Sequence, residues 1–249
     1  MSAHRFLLMQ ARHAEDPSRV DEQRSFARRL GVEEEALVSC NILSEPLELE
    51  RLADVDALLV GGAGEYSVVA PQPPVEAMIR FLARVAERGF PTFASCFGFQ
   101  ALVVGLGGDV VHDEEHAEVG TYEVERTEAS DGDSLFGPLP TRFMAQMGHK
   151  DRANVLPGGV TCLACNENAP FQALKVDGAP IYATQFHPEL TSEDNIGRFR
   201  RYFGQYAVLF GAEETQRRMD SHRPSPEANA LLSRFVALVL GPGDDPLAD

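Results

Sequence analysis

Three groups of residues carry chemistry in their type and spacing. The first centres on Cys96 in FPTFASCFGFQALVV, Phe90 to Val104, where a short apolar run gives way to Ala94, Ser95 and Cys96 and then to a helical pattern opening at Phe97. A cysteine at a strand-to-helix junction stands at the carboxyl edge of a sheet, with the first free N–H groups of a helix aimed at its sulfur. That environment favours the nucleophilic thiolate. Gly98, two residues on, relieves crowding in so tight a turn. The second group is QFHPE, Gln185 to Glu189. In an extended segment His187 and Glu189 share one side, and Pro188 between them neither joins a helix nor donates to a ladder. A neighbouring carboxylate holds an imidazole in one tautomer, as the general base of a thiol requires. The third group is GGAG, Gly61 to Gly64, directly after the apolar run ALLV. Glycines there free backbone N–H groups to meet a ligand oxygen, and with the N–H of Phe97 they would form an oxyanion hole. Taken singly, each group has a plain structural explanation: a small buried core residue, a strand end with a solvated pair, and a tight turn.

These groups act together only if the chain brings them to one edge. His4 to Gln10 reads as a first buried strand, Asp21 to Leu30 as a helix stopped by Gly31, Ala36 to Ile42 as a second strand, Leu47 to Leu52 as a short helical turn and Ala57 to Val60 as a third strand. Pro73 and Pro74 open a long helix through Arg88, with Val75, Met78, Ile79, Leu82 and Val85 at helical spacing. The fourth strand carries Cys96. Strands apolar on both faces, alternating with helices, predict an α/β three-layer sandwich around a mainly parallel sheet with right-handed crossovers. Ligands of such sheets bind at the carboxyl ends of the strands, so GGAG and Cys96 open onto the same edge.

Alternation within Val110 to Arg126 predicts antiparallel strands as a small addition to this core. Phe143 to Met147, Gly159 to Ala164 and Ala179 to Phe186 are further strands, the last running into FHPEL. Ser192 to Phe203 and Pro226 to Val239 read as helices, and Pro242 to Asp249 as a frayed end. The expected organisation is a catalytic domain over residues 1–205 with a helical extension over 206–249 packed on it.

Composition excludes several classes of function. The chain has 249 residues, 44% of them hydrophobic, enough for a substantial core. A net charge of −16 with no basic stripe argues against a nucleic-acid partner. No apolar run approaches the roughly eighteen residues of a membrane span, and Met1 to Gln10 lacks the architecture of a signal peptide. A cytoplasmic location is expected. Four cysteines, Cys40, Cys96, Cys162 and Cys165, fit a reducing compartment. No metal is expected: HDEEH, with His112 and His116, has aspartate where a zinc helix needs glutamate, and the Cys162–Cys165 CxxC has no second ligand pair. His13 reads as a surface residue of the loop after the first strand.

In these residues the chain resembles the class I, triad-type glutamine amidotransferases, with the closest likeness to stand-alone GMP-synthase-like members. The family's elbow, G-x-C-x-G-x-Q, corresponds to Ala94 through Gln100 with alanine in place of the first glycine. The glycine loop corresponds to Gly61 to Gly64 and the terminal F-H-P-E to Phe186 through Glu189. MGHKD, Met147 to Asp151, resembles the S-H-x-D segment of GMP synthetase with Gly148 replacing serine, and NENAPFQALK, Asn166 to Lys175, resembles the segment before the histidine strand. The likeness runs in order from about Arg5 to Arg200. If position 94 requires positive φ, alanine strains it by about 1 kcal/mol.

The resemblance implies the flavodoxin-like fold of that family and hydrolysis of the glutamine side-chain amide. Cys96 is then the nucleophile, His187 the base and acid, and Glu189 the residue orienting it. Gly62 and Phe97 supply the oxyanion N–H groups, and Gly61, Gln100, Gly148 and His149 contact glutamine, with no cofactor. Ammonia would pass to a separate synthetase, since no GxxxxGK[ST] loop occurs. Two other readings stand beside it: a self-sufficient hydrolase of substituted γ-glutamyl amides, and a non-catalytic binding module. Glu65 to Pro74 and His112 to Glu118 are expected to flank the pocket as a docking surface or lid.

Overall fold

Strands that are apolar on both faces demand cover on both sides, and the helices of this chain supply it. The structure, a computed structural model, describes residues 4–241, so the end expected to fray, Pro242 to Asp249, lies outside the described residues. The first half alternates strand and helix: β1 (Phe6–Ala11), α1 (Ser18–Leu30), β2 (Leu37–Asn41), β3 (Ala57–Ala63), α2 (Pro73–Glu87), β4 (Thr92–Ser95) and α3 (Phe97–Gly105). Gly31 caps α1 in the left-handed region at φ 72°, where side chains are disfavoured. The second half is mostly strand: β5 (Asp109–His112), β6 (Glu118–Arg126), β7 (Arg142–His149), β8 (Asp151–Val155), β9 (Val160–Cys165), β10 (Ala173–Val176) and β11 (Ile181–Thr184). Three helices follow, α4 (Ser192–Phe210), α5 (Ala212–Asp220) and α6 (Pro226–Leu240).

Nine strands form one sheet in the order β2, β1, β3, β4, β11, β10, β9, β6, β7, while β5 and β8 pair separately. Pairing is parallel from β2 to β11 and antiparallel from β11 to β7. The antiparallel addition therefore continues the parallel sheet edge to edge. Successive side chains point to opposite layers. Leu7 and Met9 of β1 join Leu58 and Val60 of β3 under α2 and α3, whereas Phe6, Leu8, Ala57 and Leu59 join the layer of α1 and α6.

The sequence pattern ends α4 at Phe203, but the helix continues through Gly204 to Phe210. A tilted contact of Tyr206 with Phe199, ring centroids 4.8 Å apart, and a stack of Phe210 on Tyr206 at 6.4 Å offset the roughly 1 kcal/mol cost of a helical glycine. The boundary expected at residue 205 falls inside this helix. Strands β8 and β10 and helix α5 are further elements that the pattern does not announce. Among the described residues no helix is long and apolar enough to cross a membrane.

Three features of this sheet set up the site. Strands β3, β4 and β11 are parallel neighbours, so their carboxyl ends share one edge. The glycine loop straddles the end of β3, Cys96 follows β4 at once, and His187 lies three residues beyond β11.

Candidate active site

Cys96 is the N-cap of α3, with φ 52° and ψ −102°. It is the only non-glycine among the described residues with positive φ, a conformation that stores on the order of 1–3 kcal/mol and persists only where neighbours impose it. Its N–H donates to the Thr184 carbonyl at 2.7 Å, and its carbonyl accepts from the Gln100 N–H at 3.1 Å. A Cβ on Gly98 would stand 2.8 Å from the Val60 side chain and 2.9 Å from the Val60 carbonyl, so α3 can lie this close to β3 only with glycine there. Ala94, by contrast, sits in regular pairing with Val60 and Ala183. The strained backbone belongs to Cys96 rather than to Ala94.

His187 reaches the same edge on the segment after β11. Its N–H donates to the Gln146 carbonyl at 2.9 Å, which anchors it to β7. Ring atom Nδ1 lies 2.7 Å from Glu189 Oε1, and both side chains are buried. Burial pushes the imidazole pKa down, but the Glu189 carboxylate and then the Cys96 sulfur outweigh burial and raise it to about 10. For Glu189 burial acts upward, yet the His187 charge prevails and holds the carboxyl below its ordinary value. Arg198 Nη1 stands 3.8 Å from Glu189 Oε1 and adds to that effect. Gln185 Nε2 lies 3.9 Å from Cys96 Sγ.

Behind the glycine loop stands Glu22 of α1, fully buried. Its Oε1 accepts the Gly62 N–H at 3.1 Å and Arg12 Nη2 at 3.0 Å, while Oε2 accepts Gln10 Nε2 at 2.9 Å. A Cβ on Gly61 would stand 2.7 Å from the Glu22 carboxyl carbon, and one on Gly62 3.0 Å from His187 Cε1. Position 61 is glycine because of Glu22, and position 62 because of the histidine. The Gly62 N–H expected to meet an oxyanion is donated to a carboxylate here.

A cavity of about 150 Å³ opens beside the His187 ring, with Gly62, Gly148 and His149 in its wall. A Cβ on Gly148 would reach to 3.8 Å from His187 Nε2. His149 is held by Glu118, at 3.0 Å from Nε2, and Glu118 also accepts from Asn166 at 2.6 Å and Gln172 at 2.5 Å. Burial pushes the Glu118 pKa up, but these bonds, His149 first, bring it below the ordinary value. The NENAPFQALK segment thus contributes by gripping the carboxylate that orients His149. Gln100 donates to the Asp151 carbonyl at 2.7 Å and to Gln185 Oε1 at 3.2 Å, so it braces the site from behind and does not line the cavity.

The outer wall comes from α4, through Phe199, Tyr202 and Tyr206. Neither Glu65 to Pro74 nor His112 to Glu118, the segments expected to flank the pocket, lines this cavity, but Glu65 and Tyr66 line an adjoining one that shares Arg12, Gly64 and Tyr202 with it. His112 is turned to Asp151, 2.6 Å away. Cys162 and Cys165 lie in β9, and among the described residues no group of three or more His, Cys, Asp or Glu side chains is arranged to hold a metal. Glu22, Arg198 and Tyr206 escape sequence reasoning because each lies in a helix that reads as polar or mixed. Their only signal is position in space.

Residues 25–202 match the family model described as glutamine amidotransferase class-I. The chain is 35% identical over 145 residues to a protein named GMP synthase (glutamine-hydrolyzing) from Thermosipho melanesiensis, covering 58% of this chain and 26% of that protein. A protein of the same name from Dehalococcoides mccartyi is 32% identical over 173 residues, 68% of this chain and 30% of that protein. The chain therefore spans about a quarter to a third of the length of the curated relatives it matches. Among solved structures, a glutamine amidotransferase from Thermotoga maritima superposes with a TM-score of 0.69 at 19% identity, over 96% of this chain and 99% of that one. One from Methylobacillus flagellatus gives 0.68 at 15% identity, over 100% and 99%. At these identities the likeness is one of fold.

Proposed function

This chain belongs to the class-I glutamine amidotransferase family, and from that premise we propose that it hydrolyses the side-chain amide of glutamine and hands the ammonia to a separate synthetase. The observation that carries the reading is the buried His187–Glu189 pair, 2.7 Å apart, at the sheet edge that also carries Cys96, with a cavity on the His187 side. Cys96 Sγ, its proton already given up to His187, attacks the amide carbon. The carbonyl oxygen becomes an oxyanion at the N-terminus of α3, where the Phe97 N–H has no intrahelical acceptor. For Gly62 to be the second donor, its N–H must exchange Glu22 for that oxygen.

His187 then gives its proton to the amide nitrogen, the C–N bond breaks and ammonia leaves a γ-glutamyl thioester on Cys96. Water attacks the thioester with His187 again taking a proton, and glutamate departs as the thiol is restored. Glu189 keeps Nδ1 protonated and stabilises the imidazolium between these steps. Gly148 and His149 line the cavity where the amino-acid part of glutamine would rest.

A cavity of about 150 Å³ favours free glutamine over an amide with a large amine substituent. Transfer to a synthetase is supported by the match to the part of longer proteins named glutamine-hydrolyzing GMP synthases. The experiment is ammonia release from glutamine by wild type and Cys96→Ser. We expect the variant to lose about 10³-fold or more in kcat while retaining its melting temperature. Wild-type turnover by Cys96→Ser would overturn the reading. Equivalent changes at Cys40, Cys162 and Cys165 should cost little. Efficient turnover of substituted γ-glutamyl amides in preference to glutamine, with no partner, would favour the self-sufficient hydrolase.

A further inference from the structure

Helix α4 walls the cavity beside His187, the residue that would protonate the leaving amine. Phe199, Tyr202, Tyr206 and Leu209 recur at i, i+3, i+7 and i+10, one face of a helix, and all four line the same cavity as Gly62, Gly148 and His187. Tyr202 extends over the end of the glycine loop, where a Cβ on Gly64 would stand 2.9 Å from the Tyr202 hydroxyl oxygen. The family model's match ends at residue 202, before Tyr206 and Leu209.

This wall is tied down at both ends and in the middle. At its start Thr191 and Asp194 form a reciprocal capping box. Asn195 then donates to the Gly120 and Met147 carbonyls at 3.3 and 3.4 Å, which joins α4 to the strands that carry Gly148. At its far end Arg218 of α5 lies 4.0 Å over the Phe210 ring and donates to Tyr122 Oη at 2.9 Å. The Tyr206 ring is wedged between Phe199 and Phe210. Burial pushes its hydroxyl up to about 12, and the neighbouring Tyr202 and Cys96 act in the same direction. The hydroxyl is therefore neutral in the wall of the cavity beside His187.

We propose that Tyr202 and Tyr206 are specificity-determining residues whose rings restrict the leaving group to ammonia or a very small amine. His187 delivers its proton to the departing nitrogen, so a substituent on that nitrogen would have to share with glutamine the cavity of about 150 Å³ that these two rings wall off. Gln205 and Leu209 complete the same face. The proposal rests on the glutamine-hydrolase reading for its substrate, but access to Cys96, which is buried, can be measured without turnover.

The test is alkylation of the full chain by iodoacetamide and by the bulkier N-phenylmaleimide, followed at Cys96 by peptide mass spectrometry. Wild type, Tyr206→Ala, Tyr202→Ala and the volume-conserving Tyr206→Phe are compared. We expect the alanine variants to raise the maleimide rate about tenfold or more relative to the iodoacetamide rate, with Tyr206→Phe like wild type. An unchanged ratio in both alanine variants overturns the proposal, as does a phenylalanine variant that opens the site as far as alanine. A second arm compares kcat/KM for glutamine and γ-glutamyl anilide, where the alanine variants should shift the ratio toward the anilide by a similar factor. If wild type hydrolyses neither compound, the hydrolase reading fails, and the alkylation ratio still decides whether α4 encloses Cys96.

Discussion

The triad residues differ in how they are held, and pH separates their contributions. His187 is raised to about 10 because Glu189 and Cys96 overcome the opposing effect of burial. In Glu189→Gln the principal raising charge is gone and burial dominates. We therefore expect kcat to fall about 10²-fold or more and the alkaline limb of kcat/KM to move down by at least about one pH unit. A limb that stays in place in a profile from pH 6 to 11 would sink this account of the imidazole. The stability consequence has a definite sign. A folded pKa above the unfolded value of about 6.5 gives stabilisation that is complete below pH 6.5 and declines as pH rises through about 10. Wild-type melting temperature should fall across that window more steeply than that of His187→Asn.

Elements meet at glycines, and the contacts distinguish the glycines that matter from those that do not. Gly98 joins α3 to β3, and a Cβ there collides at 2.8–2.9 Å with both the side chain and the carbonyl of Val60. The carbonyl belongs to a central strand and cannot yield. Gly98→Ala should cost about 1–3 kcal/mol, a melting-temperature loss of about 2–12 °C, and should displace the elbow enough to lower kcat. Gly197, inside α4 with nothing within 4 Å of an added Cβ, provides the contrast. Gly197→Ala should raise stability by about 0.5–1 kcal/mol through helix propensity alone. Thermal melts of the two variants moving in the same direction would contradict this reading of the helix–strand contact.

At the scale of the whole molecule, the last helix supports the strands that carry the chemistry. Phe235 of α6 is fully buried. Its ring meets Phe93 edge-on at 5.5 Å and Tyr182 at 6.3 Å. Phe93 belongs to β4, which leads to Cys96, and Tyr182 to β11, which leads to His187. Phe235→Ala should therefore cost about 3–5 kcal/mol, read as a lower urea midpoint. A loss below about 1 kcal/mol would mean that α6 is not part of the cooperative core.

What could be read from the sequence was what is local in the chain. The elbow around Cys96, the His187–Pro188–Glu189 step and the glycine run after β3 each lie within a few residues, and hydrophobic period exposed the strands and helices of the parallel half. Strand β8, with its charged and exposed residues, and the polar helix α5 have no such period. The antiparallel half was legible as strands, but its pairing was not, because β6 joins β9 across residues distant in the chain. The supporting residues required the tertiary structure for the same reason. Gly62 meets Glu22 across 40 residues, Arg198 reaches both Glu22 and Glu189, and Tyr206 joins the cavity only because α4 folds back over the sheet edge. Residue type and spacing identify groups able to react, whereas burial and the charges that converge on them from separate elements decide their pKa values and enclosure.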